Sequence, residues 1–502
     1  MRTPRVIVIG AGAGGLAAAI ELARQGAAVT VLEKQLAVGG KIRVDGAGID
    51  SGPTVLTMRW VLESLFNDAG ATLDDHLTLR PADLLARHAW GPDQRLDLFA
   101  DTGRSAEAIA AFAGRAEADG FRAFCARAQT VYRTLEAPFM SAQKPSAISL
   151  TAAAGLAPMF RISPFATLWK ALGEHFRDPR LRQLFGRYAT YSGSSPFLAP
   201  ATLMLIAHVE QQGVWLVEGG MVRVAAELGR LATRLGATVR VAAPVGEIMV
   251  NGGRASGVVL TDGERLDSDA VVCNADYAAL ADGAFGAAVV GSAPAAKPER
   301  RSASAVTWTF PAVTGGFPLT RHNVFFGGDY AAEFDAVFRG GAITAEPTVY
   351  VCAQDRGGVD PAVASPAAWR AAFPADEGER LLVLINAPAN GDRVQLSASE
   401  IEQCMTRTFA QLARCGLMLH RRGEAVVTTP ADFARLFPAT GGALYGQAVH
   451  GSMAAFRRPG SRSALPGLYL SGGSVHPGPG VPMALLSGRL AAASVLQDLT
   501  SR

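Results

Sequence analysis

At 502 residues the chain is too long for one simple core, and two or more domains are expected. A formal net charge of +3, with no interleaving of basic and aromatic residues, gives no case for a nucleic-acid partner. The five cysteines and eight histidines fall in no ligand-spaced pairs, which argues against zinc, any other metal or a disulfide scaffold, and for a reducing compartment.

The first element is Arg5-Val-Ile-Val-Ile, a β-branched run that predicts a buried parallel strand. Gly10-x-Gly12-x-x-Gly15 follows at once, then a helix over Leu16 to Gln25 closed by Gly26, then a second strand, Ala28 to Leu32, ending on Glu33. A secretory leader has no need of glycines at these places, and no signal peptide is expected. Strand, glycine turn, helix, strand and acid form the order of a dinucleotide site. Gly10 permits the tight turn, Gly12 lets backbone approach a pyrophosphate, and Gly15 lets the helix pack on the strand. The helix N-terminus offers free N–H groups to phosphate. Glu33 is placed to accept from ribose hydroxyls and would repel a 2′-phosphate, favouring FAD or NAD over NADP. Gly39-Gly40-Lys41 and Asp50-Ser-Gly-Pro-Thr54 then point to a flavin, whose ring system needs further close backbone approaches.

Two uncharged stretches come next, 145–160 and 188–209. The first is too short to cross a bilayer and the second is broken by Pro196 and Pro200, so no transmembrane helix is expected. Both read as buried core, or Ile148 to Trp169, flanked by Lys144, Arg161 and Lys170, dips into a membrane without crossing it.

The chain then returns to its first domain. Gly219-Gly220 feeds a helix to about Leu235, Ala237 to Pro244 gives a strand with Val245 at its end, and Ala270-Val-Val-Cys-Asn-Ala-Asp276 gives another that ends in a polar loop. The last return is a strand at Gly467 to Ser474, a stiff loop from Val475 to Pro482, and a helix from Met483 to Leu496 whose N-terminus points at the cofactor. These returns define a discontinuous dinucleotide domain of residues 1–75, 215–290 and 426–502, with 76–214 and 291–425 as a substrate domain that also associates with membrane.

With these motifs the sequence resembles the carotenoid desaturase family, the flavoproteins that include phytoene desaturase. The markers are Gly10-x-Gly12-x-Gly14-Gly15, Gly39-Gly40-Lys41, Gly52-Pro53-Thr54, Tyr191-x-Gly-x-x-Pro196 and Gly472-x-x-x-His-Pro-Gly478-x-Gly480-Val-Pro482. SGPTVLTMR, LARHAW and DPRLRQLFGRYATYSG are similar to one branch, the 1-hydroxycarotenoid 3,4-desaturases. The resemblance implies an α/β protein: a Rossmann-like FAD-binding domain of the amine oxidase and carotenoid desaturase type, with a discontinuous α+β substrate domain. It also implies FAD as cofactor and a peripheral enzyme of carotenoid biosynthesis in photosynthetic bacteria, on the cytoplasmic side of the membrane. By matched position Gly10, Gly12, Gly14, Gly15, Glu33, Lys34, Gly40, Lys41, Gly52, Pro53 and Thr54 would line FAD, joined by Val245, Gly473, Val481, Pro482 and Met483.

The implied reaction takes hydride from C4 of a 1-hydroxycarotenoid to the flavin and a proton from C3. The lipophilic substrate would come from the membrane, and oxygen or a quinone would take the electrons. His476 is the candidate base, since a neutral imidazole suits the work near pH 7; alternatively it fixes its loop by a hydrogen bond. Tyr188, Tyr191 and Phe197 either line the polyene tunnel or form plain core. Other readings are phytoene or neurosporene desaturation, carotene isomerisation, an amine oxidase-like enzyme, or a flavin-free isoprenoid-binding escort.

Overall fold

The computed structural model describes residues 3–45, 48–155, 162–163, 165–357 and 378–501. Strand β1 (Arg5–Ile9) is buried from Val6 to Ile9, and its glycine turn leads into helix α1 (Ala13–Arg24) and strand β2 (Ala28–Leu32). Helix α2 (Val222–Arg234), β3 (Thr238–Arg240), β4 (Ala270–Cys273), β5 (Leu468–Leu470) and helix α3 (Val481–Thr500) complete this unit. The five strands form one parallel sheet in the order β5-β4-β1-β2-β3, with Ile7 opposite both Thr30 and Val271. Parallel pairing requires crossovers, and here the substrate-side segments serve as two of them.

Helices α1, α2 and α3 cover one face of the sheet. Leu16, Ile20, Val224, Leu228 and Leu485 are fully buried there, each contributing about 1.5–3 kcal/mol. Helix α1 is buried on nearly all sides because α3 crosses it closely: a Cβ on Gly488 would lie 2.1 Å from the Gly14 carbonyl oxygen. The other face carries a three-stranded antiparallel annex of Val245–Asn251, Arg254–Leu260 and Arg265–Asp267.

The second unit is an eight-stranded, mostly antiparallel sheet. Its main path runs Leu417–Arg421, Ser304–Gly316, Glu379–Ala387, Val349–Ala353, His322–Phe325, Leu84–Gly91 and Gln94–Phe99. Against it lie the helices Thr102–Ala113, Arg115–Leu135, Pro179–Gly186 and Leu205–Gln211. Asp101 and Asp178 cap two of them, accepting from Arg104 N and Arg180 N at 2.8 Å. Phe121, Phe124, Phe176 and Phe185 knit the helices, with Phe176 stacked on Phe185 at 4.7 Å. One strand departs from the expected partition: Val426–Thr428 follows residue 425 but pairs with Thr307 to Thr309 of this sheet. Among the described residues no helix is long and apolar enough to cross a membrane. Of the stretch Ile148 to Trp169, residues 156–161 and 164 lie outside the described ones.

Candidate active site

The glycine turn is closed by contact on every side. Gly10 has a φ of +93°, in the left-handed region, and a Cβ on Gly15 would fall 2.1 Å from the Gly10 carbonyl oxygen. The Gly39-Gly40 loop docks on it, with Gly39 N donating to Ala11 O at 2.8 Å and the Gly40 Cβ position 3.1 Å from Gly12 Cα. Glu33, 4% exposed, accepts from Ala11 N at 2.7 Å and Gln35 N at 2.9 Å. Each of its oxygens keeps a second lone pair for a ribose hydroxyl. Ala243 N donates to Glu33 O at 2.8 Å, which draws the segment carrying Val245 alongside.

The C-terminal loop meets the same turn. A Cβ on Gly14 would lie 2.9 Å from both N and Cα of Gly472, and Gly480, Val481, Pro482 and Met483 open α3 beside α1. Neither α1 nor α3 has a side chain capping its N-terminus. Two helix ends with uncommitted amides thus converge on a cradle that any Cβ would fill. That arrangement fits a pyrophosphate and, at the second end, an electron-rich ring edge. The residues present fit FAD.

Two residues that sequence reasoning missed hold this cradle. Asn274, at the end of β4, donates through Nδ2 to Gly10 O at 3.4 Å and accepts at Oδ1 from Ser471 Oγ at 3.2 Å. Arg458, 4% exposed, donates to Gly473 O at 3.0 Å, Tyr445 O at 3.0 Å and Gln447 O at 2.7 Å. Burial draws its pKa down to about 10. The polar end of the strand Ala270 to Cys273 was the available signal for Asn274. Nothing local marked Arg458.

The lysines turn elsewhere. Lys34 Nζ donates to Leu436 O and Lys41 Nζ to Leu444 O, both at 2.5 Å, so they fasten the 436–444 segment over the nucleotide side. Burial lowers the Lys41 pKa, with Asp276 opposing. A Cβ on Gly52 would lie 2.0 Å from Lys41 O, which packs the Gly52-Pro53-Thr54 turn against this loop. Thr54 Oγ1 then meets the Tyr350 hydroxyl at 2.7 Å and carries the site into the second sheet.

Beyond Thr54 lies a buried polar and aromatic cluster. The Tyr350 hydroxyl also meets His322 Nδ1 at 2.7 Å, and burial takes His322 down to about 3, so its imidazole is neutral. Glu210 accepts from Tyr188 OH at 2.7 Å and from Tyr191 OH. Burial raises the Glu210 carboxyl and, with Glu210 close by, lifts both phenols well above their usual range. Arg187 lies over the rings of Tyr350 and Tyr191, with Cζ 5.4 and 5.9 Å from their centroids. Phe197 packs on Trp169 at 4.6 Å and on Tyr330 and Phe334. Tyr188 is buried, whereas Tyr191 and Phe197 keep accessible surface. Arg187 and Glu210 were missed as well; their one sequence signal is that they bound the uncharged stretch 188–209.

His476 is 4% exposed and makes local contacts. Its Nε2 pairs with Ala142 O at 3.0 Å, its ring stands edge-on to Phe139 at 5.0 Å, and burial lowers its pKa to about 4.

Comparison with known proteins agrees with this geometry. The model of the family described as flavin containing amine oxidoreductase matches residues 13–496. A hydroxyneurosporene desaturase of Rubrivivax gelatinosus is 51% identical, covering 100% of this chain and 95% of the relative. One from Cereibacter sphaeroides is 45% identical, covering 99% of each. Putrescine oxidase, solved with putrescine bound, shares the fold with a TM-score of 0.55 at 16% identity and covers 100% of each chain. FAD is the cofactor, and the enzyme is an FAD-dependent oxidoreductase. The chain belongs to the flavin-containing amine oxidoreductase family, and within it to the carotenoid desaturases.

Proposed function

We propose that the chain introduces the C3–C4 double bond into 1-hydroxycarotenoids such as 1-hydroxyneurosporene or methoxyneurosporene. The observation that carries this reading is full-length similarity, 51% and 45% identical, to proteins named hydroxyneurosporene desaturase. When bound, FAD supplies the acceptor for the hydride that leaves C4. The chain's own part is to bind, orient and exclude water. Glu33, the glycine turn and the ends of α1 and α3 hold the nucleotide, while the Thr54–Tyr350 bond sets an aromatic wall against the flavin side. Tyr191 and Phe197 extend that wall. A polyene has no hydrogen-bonding group along its length, so aromatic area at about 25 cal/mol per Å² is what grips it. C3 lies beside a positively charged polyene once the hydride has left, and a weak proton acceptor suffices there.

A substrate of this size gains about 0.8 kcal/mol per CH₂ from staying out of water, so it is drawn from a bilayer. Ile148 and Phe165, 84% and 81% exposed, with Lys144 and Lys170 close in sequence, support a peripheral contact. Free thiols at all five cysteines support the cytoplasmic face. Oxygen or a membrane quinone is the terminal acceptor.

Product analysis tests the reading. Membranes containing the chain and FAD are incubated with 1-hydroxyneurosporene, and separately with phytoene. A red-shifted pigment from the hydroxylated substrate alone supports it. Conversion of phytoene instead moves the chain to the neighbouring activity, and a colourless preparation that ignores FAD would favour an escort role.

A further inference from the structure

One cation of the substrate unit, Arg187, makes no ion pair with an acid among the described residues. Arg187 lies on the turn that follows the helix Pro179–Gly186. Its neighbours Phe185, Gly186, Tyr188 and Ala189 are buried, yet Arg187 keeps accessible surface, as do Tyr191, Tyr350 and Tyr445 around it. An arginine set among buried neighbours is ordinarily matched by a carboxylate. Among the described residues none lies within ion-pair distance of Arg187, and the two buried acids in its field are already engaged: Glu210 accepts from Tyr188 and Tyr191, and Glu333 from Thr348 and Asn386. Two aromatic faces and the Tyr191 hydroxyl hold the guanidinium instead. The same space reaches the flavin side twice: through Tyr350, bonded to Thr54, and through Tyr445, next to the Leu444 carbonyl that takes Lys41.

We infer that Arg187 is the specificity-determining residue that donates a hydrogen bond to the oxygen on C1 of the substrate. The inference rests on the 3,4-desaturase reading. In that substrate C1 is three carbon–carbon bonds from C4, each about 1.5 Å long, so the oxygen is buried beside the reacting carbons. A hydroxyl taken from water without a partner costs about 1–3 kcal/mol, so the wall must present one. The Tyr191 and Tyr350 hydroxyls are already engaged by Glu210, Thr54 and His322. Arg187 offers N–H donors only, and both a hydroxyl and a methoxyl oxygen can accept from it. The aromatic faces that seat the guanidinium then continue as the wall for the polyene.

The test compares 1-hydroxyneurosporene, its 1-methoxy ether and 1,2-dihydroneurosporene, which has hydrogen in place of the oxygen. Each is scored by kcat/KM and by equilibrium binding, read from the perturbed flavin absorption band. The wild type is expected to prefer both oxygenated chains over 1,2-dihydroneurosporene, and Arg187→Met to lose about 10- to 100-fold of that preference. Arg187→Gln, which keeps an amide donor, should retain part of the preference. An unchanged preference in either variant, or a parallel fall on all three substrates, overturns the inference. Binding separates it from the reading beneath it: preferential binding through Arg187 without 3,4-desaturation sinks the reaction and leaves the anchor. Turnover with no preference for oxygen does the reverse.

Discussion

The side-chain amide of Asn274 occupies the space that a side chain on Gly14 would need, with the Gly14 Cβ position 2.6 Å from Asn274 Oδ1. The same position is 2.9 Å from Gly472 N and Cα, so three chain segments meet where the pyrophosphate turn closes. Gly14→Ala must push apart backbone, not a flexible tip. The expected result is a purified variant that is largely colourless and destabilised by about 1–3 kcal/mol. Gly91→Ala is the control, because nothing lies within 4 Å of its Cβ position and its φ is ordinary. Flavin absorbance per mole of protein, together with a urea midpoint, checks both.

Glu33 does two jobs with one carboxylate. It fixes the turn through Ala11 N and Gln35 N, and it presents its remaining lone pairs outward. Glu33→Ala leaves two amides without acceptors and removes the ribose contact. Charge-assisted hydrogen bonds contribute about 1.5–3 kcal/mol, so FAD affinity should fall by about 10- to 100-fold or more. Titration of apoprotein with FAD, followed by flavin fluorescence, measures it. Unchanged affinity would remove Glu33 from the site.

The nucleotide half of the molecule was legible because its signals are local. Gly10, Gly12, Gly15 and Glu33 lie within one βαβ unit, and each has a steric or electrostatic reason to be where it is. What escaped is non-local. Asn274 is separated from Gly10 by 264 residues, and the turn it fills is assembled from both ends of the chain. The substrate side was harder for another reason. Tyr188 and Tyr191 look alike in sequence and both donate to Glu210, yet one is buried and the other keeps accessible surface. Their bounding charges, Arg187 and Glu210, are the edges of an uncharged run and were passed over. Their meaning required the fold to bring them back together.

His476 can be tested as base against loop anchor. With Nε2 paired to Ala142 O and a pKa drawn down to about 4, the ring is neutral and tied to the chain that precedes Gln143. His476→Gln keeps a donor for Ala142 but cannot act as a base near pH 7. We expect kcat at pH 7 to fall by less than tenfold, with flavin content retained. A proton acceptor in the transition state contributes about 10²- to 10⁴-fold. A drop of that size in a variant that still binds FAD would make His476 the base.

Acid sensitivity follows from His450. Its Nε2 accepts from Ser195 N at 2.9 Å, so a proton added there would set one donor against another. Burial lowers its pKa from 6.5 to about 4 in the folded chain. The unfolded chain takes up a proton below about pH 6.5, whereas the folded chain resists it down to the lower value. Between those limits the unfolded state binds more protons, so stability rises with pH and is lost on acidification. The loss from this residue is at most about 1.4 kcal/mol per pH unit. His450→Gln keeps an acceptor for Ser195 and has nothing to titrate. Urea midpoints at pH 7.5, 6 and 5 should therefore converge for the variant relative to wild type, with the two closest at pH 5 if glutamine costs some packing at neutral pH. Parallel pH profiles would mean that His450 is protonated in the fold as readily as in the open chain, and that the Ser195 contact gives way without cost.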